Sequence, residues 1–175
     1  MADIRKRVED DRGLLKTIQL FVPGFRGYRI REDLRDSDRM LRSQMAKQLG
    51  LVRRGLEDCR SSVKDFTSPQ LDAIGRLVNS FKKVEGAVQH ADVGYSGIAA
   101  DLKIKESELN RLYEYDAGMI NDINTMSWGV DRLRSALDAE NGAEANVEIK
   151  GIRTSINAFE DKFSKRKLAI TGTEV

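Results

Sequence analysis

One cysteine, Cys59, and one histidine, His90, are all that the chain offers of the side chains most used as nucleophile, proton carrier or metal ligand. A zinc site draws its ligands largely from those two types, so the count alone argues against one. A di-metal carboxylate bundle needs a Glu-x-x-His on each of two helices, which a single histidine cannot supply. His90 stands beside Ala91-Asp92 at an expected helix end, where a cationic imidazole faces the C-terminal carbonyls favourably. Cys59 falls between Leu56 and Val63 on an apolar stripe, the position of a small buried side chain and not of an exposed thiolate. Gly94-Tyr95-Ser96-Gly97 lacks both the Gly-Lys-Ser/Thr ending and the preceding strand of a phosphate loop, and reads as a turn. With no nucleophile–base pair, ligand cluster or cofactor cradle, the expectation is a protein that is not an enzyme and carries no cofactor or metal.

Charged residues offer more. Asp116 interrupts an otherwise apolar seam, and Asp38 lies on the extension of another, between Leu34 and Leu41. A carboxylate in a core is costly without a partner, so each of these buried-acid candidates is expected to pair with arginine or to sit where the seam opens to water. A pH-sensitive or register-setting role is the alternative. Between Asp38 and Glu57 there is no acid, while Arg39, Arg42, Lys47, Arg53 and Arg54 fall on one helical arc of roughly 140°. Such an arc is either an ordinary solvated face or a surface for anionic lipid or nucleic acid. No aromatic side chain stands among them to stack on bases, which weakens the nucleic-acid version.

The elements that must position these groups are helices. Seven-residue periodicity recurs along the chain: Met45, Leu49, Val52, Leu56, Cys59 and Val63; then Ile74, Leu77, Phe81, Val84 and Val88; then Leu109 through Met119, Met126 and Leu137; then Ala145, Ile149, Ile152, Ile156, Phe159 and Phe163. Thr67-Ser68-Pro69 stops one helix and caps the next, and Asn141-Gly142 is expected to close the fourth through a left-handed glycine. The fold class is therefore all-α: an antiparallel bundle of four main long helices with coiled-coil-like seams, plus a short N-terminal amphipathic helix. Residues 1–22 form that helix, 23–29 a Pro/Gly bend, 30–168 the bundle and 169–175 a frayed tail. Ile4, Val8, Leu15, Ile18 and Phe21 give the first helix an apolar face that can dock on the bundle or lie in a membrane interface.

Residues 26–66 hold 11 basic and 7 acidic side chains, and residues 67–142 hold 8 and 12, so the two parts carry opposite surpluses of four. Neighbouring helices in one bundle would attract each other on that basis. A mean hydropathy of −0.48, the lone cysteine and an N-terminus without a signal-peptide pattern suggest a cytoplasmic protein. The seam lengths predict helices of about 36–41 residues at positions two and four and about 23–26 at three and five. Apolar seam would then remain for a second copy, or for the folded-back N-terminal helix, to cover. A homo-oligomer through helices two and four is expected, with Met126 and Trp128 near the contact.

The run Val22-Pro23-Gly24-Phe25-Arg26-Gly27-Tyr28, followed by alternating Arg and acids to Asp38, resembles a segment of uncharacterised prokaryotic helical-bundle proteins. In layout only, an amphipathic helix before a long helical hairpin, the chain is also similar to phage-shock-type membrane-remodelling proteins. The first reading is thus a self-associating scaffold or adaptor. A peripheral membrane protein using residues 1–22 and the basic arc is the alternative, and a nucleic-acid-binding helical protein comes third.

Overall fold

The computed structural model describes residues 13–27, 31–65, 67–91 and 106–171, and within these it is all-helical. Helix α1 is described over 13–21, followed by α2 (Arg31–Ser62), α3 (Pro69–Gln89), α4 (Glu106–Asp138) and α5 (Gly142–Thr171). No described helix is long and apolar enough to cross a membrane. Ile4, Val8 and the Gly94–Gly97 turn lie outside the described residues, as do the first residues expected of the fourth helix.

The helix boundaries follow from local chemistry. Ser68 caps α3 by accepting a hydrogen bond from the Gln70 N–H at 3.3 Å, with Pro69 in the first turn. Just before it, the Asp65 carboxylate accepts from both the backbone N–H and the hydroxyl of Thr67, which holds its pKa below the ordinary value. His90 closes α3, its backbone N–H reaching Gly86 O.

The α4–α5 corner differs from expectation. Glu140 N–H bonds to Leu137 O and Asn141 N–H to Ala136 O, a Schellman closure whose left-handed residue is Glu140, at φ 53°. Gly142 is instead the first residue of α5. Asn141 is committed to capping it, with Oδ1 accepting from the Glu144 N–H and Nδ2 donating to the Glu144 carboxylate. The left-handed turn therefore falls one position before the cap, on a non-glycine residue.

Contact ladders fix how the helices pair. Arg132–Glu148, Asp122–Lys162 and Asp116–Arg166 step in opposite directions along α4 and α5, so these two run antiparallel. In α2 and α3 the Arg53–Glu85 bridge and the approach of Arg60 to Gly75 describe a second antiparallel pair. Gly55 beside Val130, and Asp58 beside Arg134, join α2 to α4; Lys83–Glu160 joins α3 to α5. The core is the meeting of the four seams, with Leu49, Leu56, Leu77, Phe81, Met119, Leu133, Ile152 and Phe159 all buried.

Two lengths correct the seam-exposure argument. Helix α5 has 30 residues and runs alongside α4, which has 33, so the fifth helix is not the short partner expected. Helix α3 is short, with 21 residues, and its last turn lies level with Arg42 of α2. Beyond that point the chain's own N-terminal segment takes over. Ile18, Val22 and Phe25 are buried, Gly24 packs near Met40, and Gly27 packs near Tyr113. The Ser37 hydroxyl donates to Gly27 O at 3.1 Å and ties this segment to α2. Positive φ at Gly24 and Gly27 lets the chain turn there. Three buried side chains at about 1.5–3 kcal/mol each make the cover worth roughly 5–9 kcal/mol before entropy is counted.

Candidate functional site

Where α3 ends and the N-terminal segment begins, three helices bring charged side chains into the core. Asp38 of α2 and Asp116 of α4 are both fully buried, and Arg166 of α5 is 1% exposed. Arg166 donates through Nε to Asp116 Oδ1 and through Nη1 to Asp38 Oδ1, each at 2.5 Å. Arg42 donates through Nε to the other oxygen of Asp38 at 2.8 Å and reaches Val88 O at the end of α3. Among the described contacts two carboxylates face two guanidiniums, and opposite charges paired in this way are the condition under which buried charge is tolerated. Its reach is structural. One connected set of charge-assisted bonds touches α2, α3, α4 and α5.

Both acids thus find arginine, as their place on apolar seams implied. Arg42 lies one helical turn from Asp38, whereas Arg166 is 128 residues away. The signal for it was present: Ile149, Ile152, Ile156, Phe159 and Phe163 continue at the same spacing to position 166. An arginine there reads as the point where a seam meets solvent, because its long stem can carry the charge outward. Two acids on facing helices hold it inside instead.

The basic arc of α2 divides. Arg42 belongs to the cluster, and Arg53 is held by Glu85 and Glu57 at 2.9 Å each, so its pKa rises, chiefly through the Glu85 hydrogen bond. Arg39, Lys47 and Arg54 remain exposed. A five-cation anion surface is therefore reduced to three, because α3 presents Glu85 and the cluster presents Asp38 to the other two. Of the docking candidates, Ile18 is fully buried against the bundle, while Leu15 and Phe21 are half-buried and pack on the same core.

Cys59 is buried between α2 and α4, with its Sγ 3.9 Å from Val130 O. Burial pushes its thiol pKa up, and nearby Arg134 offsets only part of that. Among the described residues no three of His, Cys, Asp and Glu converge on a point that could hold a metal ion.

The two residues named for an oligomer contact separate. Met126 is fully buried, because it sits between Ile123 and Val130 on the core seam and its side chain is spent inside the chain. Trp128, two positions on, points the other way and is 62% exposed. Beside it a groove of about 660 Å³ runs between α2 and α4, lined by Gln48, Leu51, Gly55, Asn124 and Ser127 among others.

Compared with known protein families, curated proteins and solved structures, the chain matches none of them.

Proposed function

We propose that the protein is a non-enzymatic helical scaffold that self-associates through the outward face shared by α2 and α4. The observation that carries this reading is Trp128, a large aromatic side chain left 62% exposed on α4. Charged residues make up 33% of the chain, yet the exposed α4 positions leading to it, Asn121, Asn124, Thr125 and Ser127, carry no charge. Across the groove, Leu51 of α2 is a second exposed apolar side chain. Aromatic enrichment with depletion of charge is the compositional mark of an interface centre, and tryptophan is the commonest energetic anchor there.

A second copy suits this surface better than a charged partner does. Amide and hydroxyl groups both donate and accept, so a neutral patch can meet itself across a two-fold axis without like-charge repulsion. Along α4 charge returns at Asp131 and Arg132, one turn beyond Trp128, and across the groove at Arg54 and Asp58, in the manner of a polar rim. The non-enzymatic part draws support from the buried acids, each engaged by arginine, and from a cysteine sealed in the core.

The alternatives draw less support. Ile18 and Val22 would have to leave the bundle to enter a bilayer, and only three of the five α2 cations face outward. Light scattering on wild type and Trp128→Glu tests the proposal. The wild type is expected above the chain mass of 19.7 kDa and the variant at it. Equal masses for the two would contradict the role given to this face.

A further inference from the structure

Resting on that reading, we infer that self-association is reciprocal: Trp128 of each copy inserts into the α2–α4 groove of the other. The tryptophan borders the groove without lining it. Ser127, one residue before Trp128, lines the groove, as do Asn124 and Asp131, one turn to either side. Trp128 does not fill the groove of its own chain, since its side chain stands outward and exposed. An anchor and a receptor adjacent on one surface, neither satisfying the other, become mutually satisfied when a two-fold axis passes between them.

The groove offers an indole both apolar and polar contact. Gly55 contributes no side chain to the wall, and a Cβ there would stand 2.8 Å from Val130 Cγ1, so α2 and α4 meet closely beneath the groove. Leu51 and Ile123 supply apolar contact, while the Gln48 and Asn124 amides offer acceptors for the indole N–H.

Charge at the rim points to a second copy as the occupant. Of the four charged residues from 54 to 58 and 131 to 134 that line it outside Glu57, Asp58 and Arg134 pair at 3.8 Å across the groove. Arg54 and Asp131 have no ion-pair partner among the described residues. They are of opposite sign and lie on opposite walls, so the rim of a second copy carries a counter-charge for each.

Trp128 is the chain's one tryptophan, so its fluorescence reports on this site alone. Acrylamide quenching and emission wavelength of the full chain are followed across a dilution series, with sedimentation run on the same samples. Expected is a blue shift and a fall in quenching that track dimer formation. Ser127→Arg, which places a bulky charge at the groove mouth on an exposed position, is expected to weaken association at least tenfold in Kd and to leave the helical circular dichroism intact. A wild-type dimer whose tryptophan stays as quenchable as in the monomer overturns the inference and leaves self-association standing. So does a Ser127→Arg dimer of unchanged affinity. A chain that remains monomeric throughout overturns the self-association reading itself.

Discussion

Replacing Arg166 with methionine keeps most of the apolar stem and removes the charge that holds two buried carboxylates. Asp38 retains the Arg42 Nε at 2.8 Å, while Asp116, fully buried, loses its charge-assisted bond to Arg166 Nε. Removing one partner of a buried ion pair costs about 3–5 kcal/mol, against a total domain stability of about 5–15 kcal/mol. For a chain of this size that corresponds to a drop in Tm of roughly 6–20 °C. Urea unfolding followed by circular dichroism reads the loss directly. A second variant separates the lost charge pairing from lost packing. Arg166→Met with Asp116→Asn removes one charge of each sign and leaves the Asp38–Arg42 pair in place. This double variant is expected to be about 1–3 kcal/mol more stable than Arg166→Met alone, the usual range for coupled neighbours. A loss below about 1 kcal/mol for Arg166→Met, or a double variant no better than the single, would refute the reasoning.

Other perturbations follow from single contacts. Glu140→Gly relieves a left-handed residue at the α4–α5 corner and is expected to raise stability by about 0.5–1 kcal/mol in thermal melts; a lower Tm would contradict the Schellman assignment. Gly55→Ala puts a methyl group 2.8 Å from Val130 Cγ1 and should cost about 1–3 kcal/mol, whereas Gly151→Ala on open helix surface should gain up to about 1 kcal/mol. Finding the same sign for both would argue against close α2–α4 packing. Cys59, buried and with its thiol pKa raised, holds less thiolate at pH 8 than a free cysteine and should alkylate at a useful rate only once denaturant opens the core. Labelling of native protein as fast as of a short peptide would place it elsewhere. Ile18→Asp should release the N-terminal segment, seen as new proteolytic cleavage near residues 13–27; unchanged protection would show that the segment is not held by that contact.

The seams were legible because a seven-residue apolar repeat admits one buried face. Leu49, Leu56, Leu77, Phe81, Met119, Leu133 and Ile152 lie in the core where the period places them. Asp38 and Asp116 were legible for the same reason, since an acid in register with such a seam has nowhere else to point. Arg166 shows where this reasoning stops. Periodicity gives the direction of a side chain but not what stands opposite, and its acids lie 50 and 128 residues away in sequence. Arg53 was likewise assigned to a solvated arc, because Glu85 on α3 reaches it only once the two helices are paired. The N-terminal segment was ambiguous in principle: an apolar helical face is the same signal whether it meets protein or lipid. Ile18, Val22 and Phe25 pack where α3 has already ended, a length that depends on where the chain turns and not on the seam. Trp128 and Met126 share a neighbourhood in sequence, but two residues on a helix are about 200° apart, so only one of them can face the core.

The claim at the centre of this account is that two copies meet on the α2–α4 face, and sedimentation equilibrium of the full chain over the micromolar range tests it most directly. The account predicts a concentration-dependent mass rising towards twice the chain mass of 19.7 kDa, with Trp128→Glu held at the single-chain value. A wild-type mass that stays at 19.7 kDa across that range would contradict it.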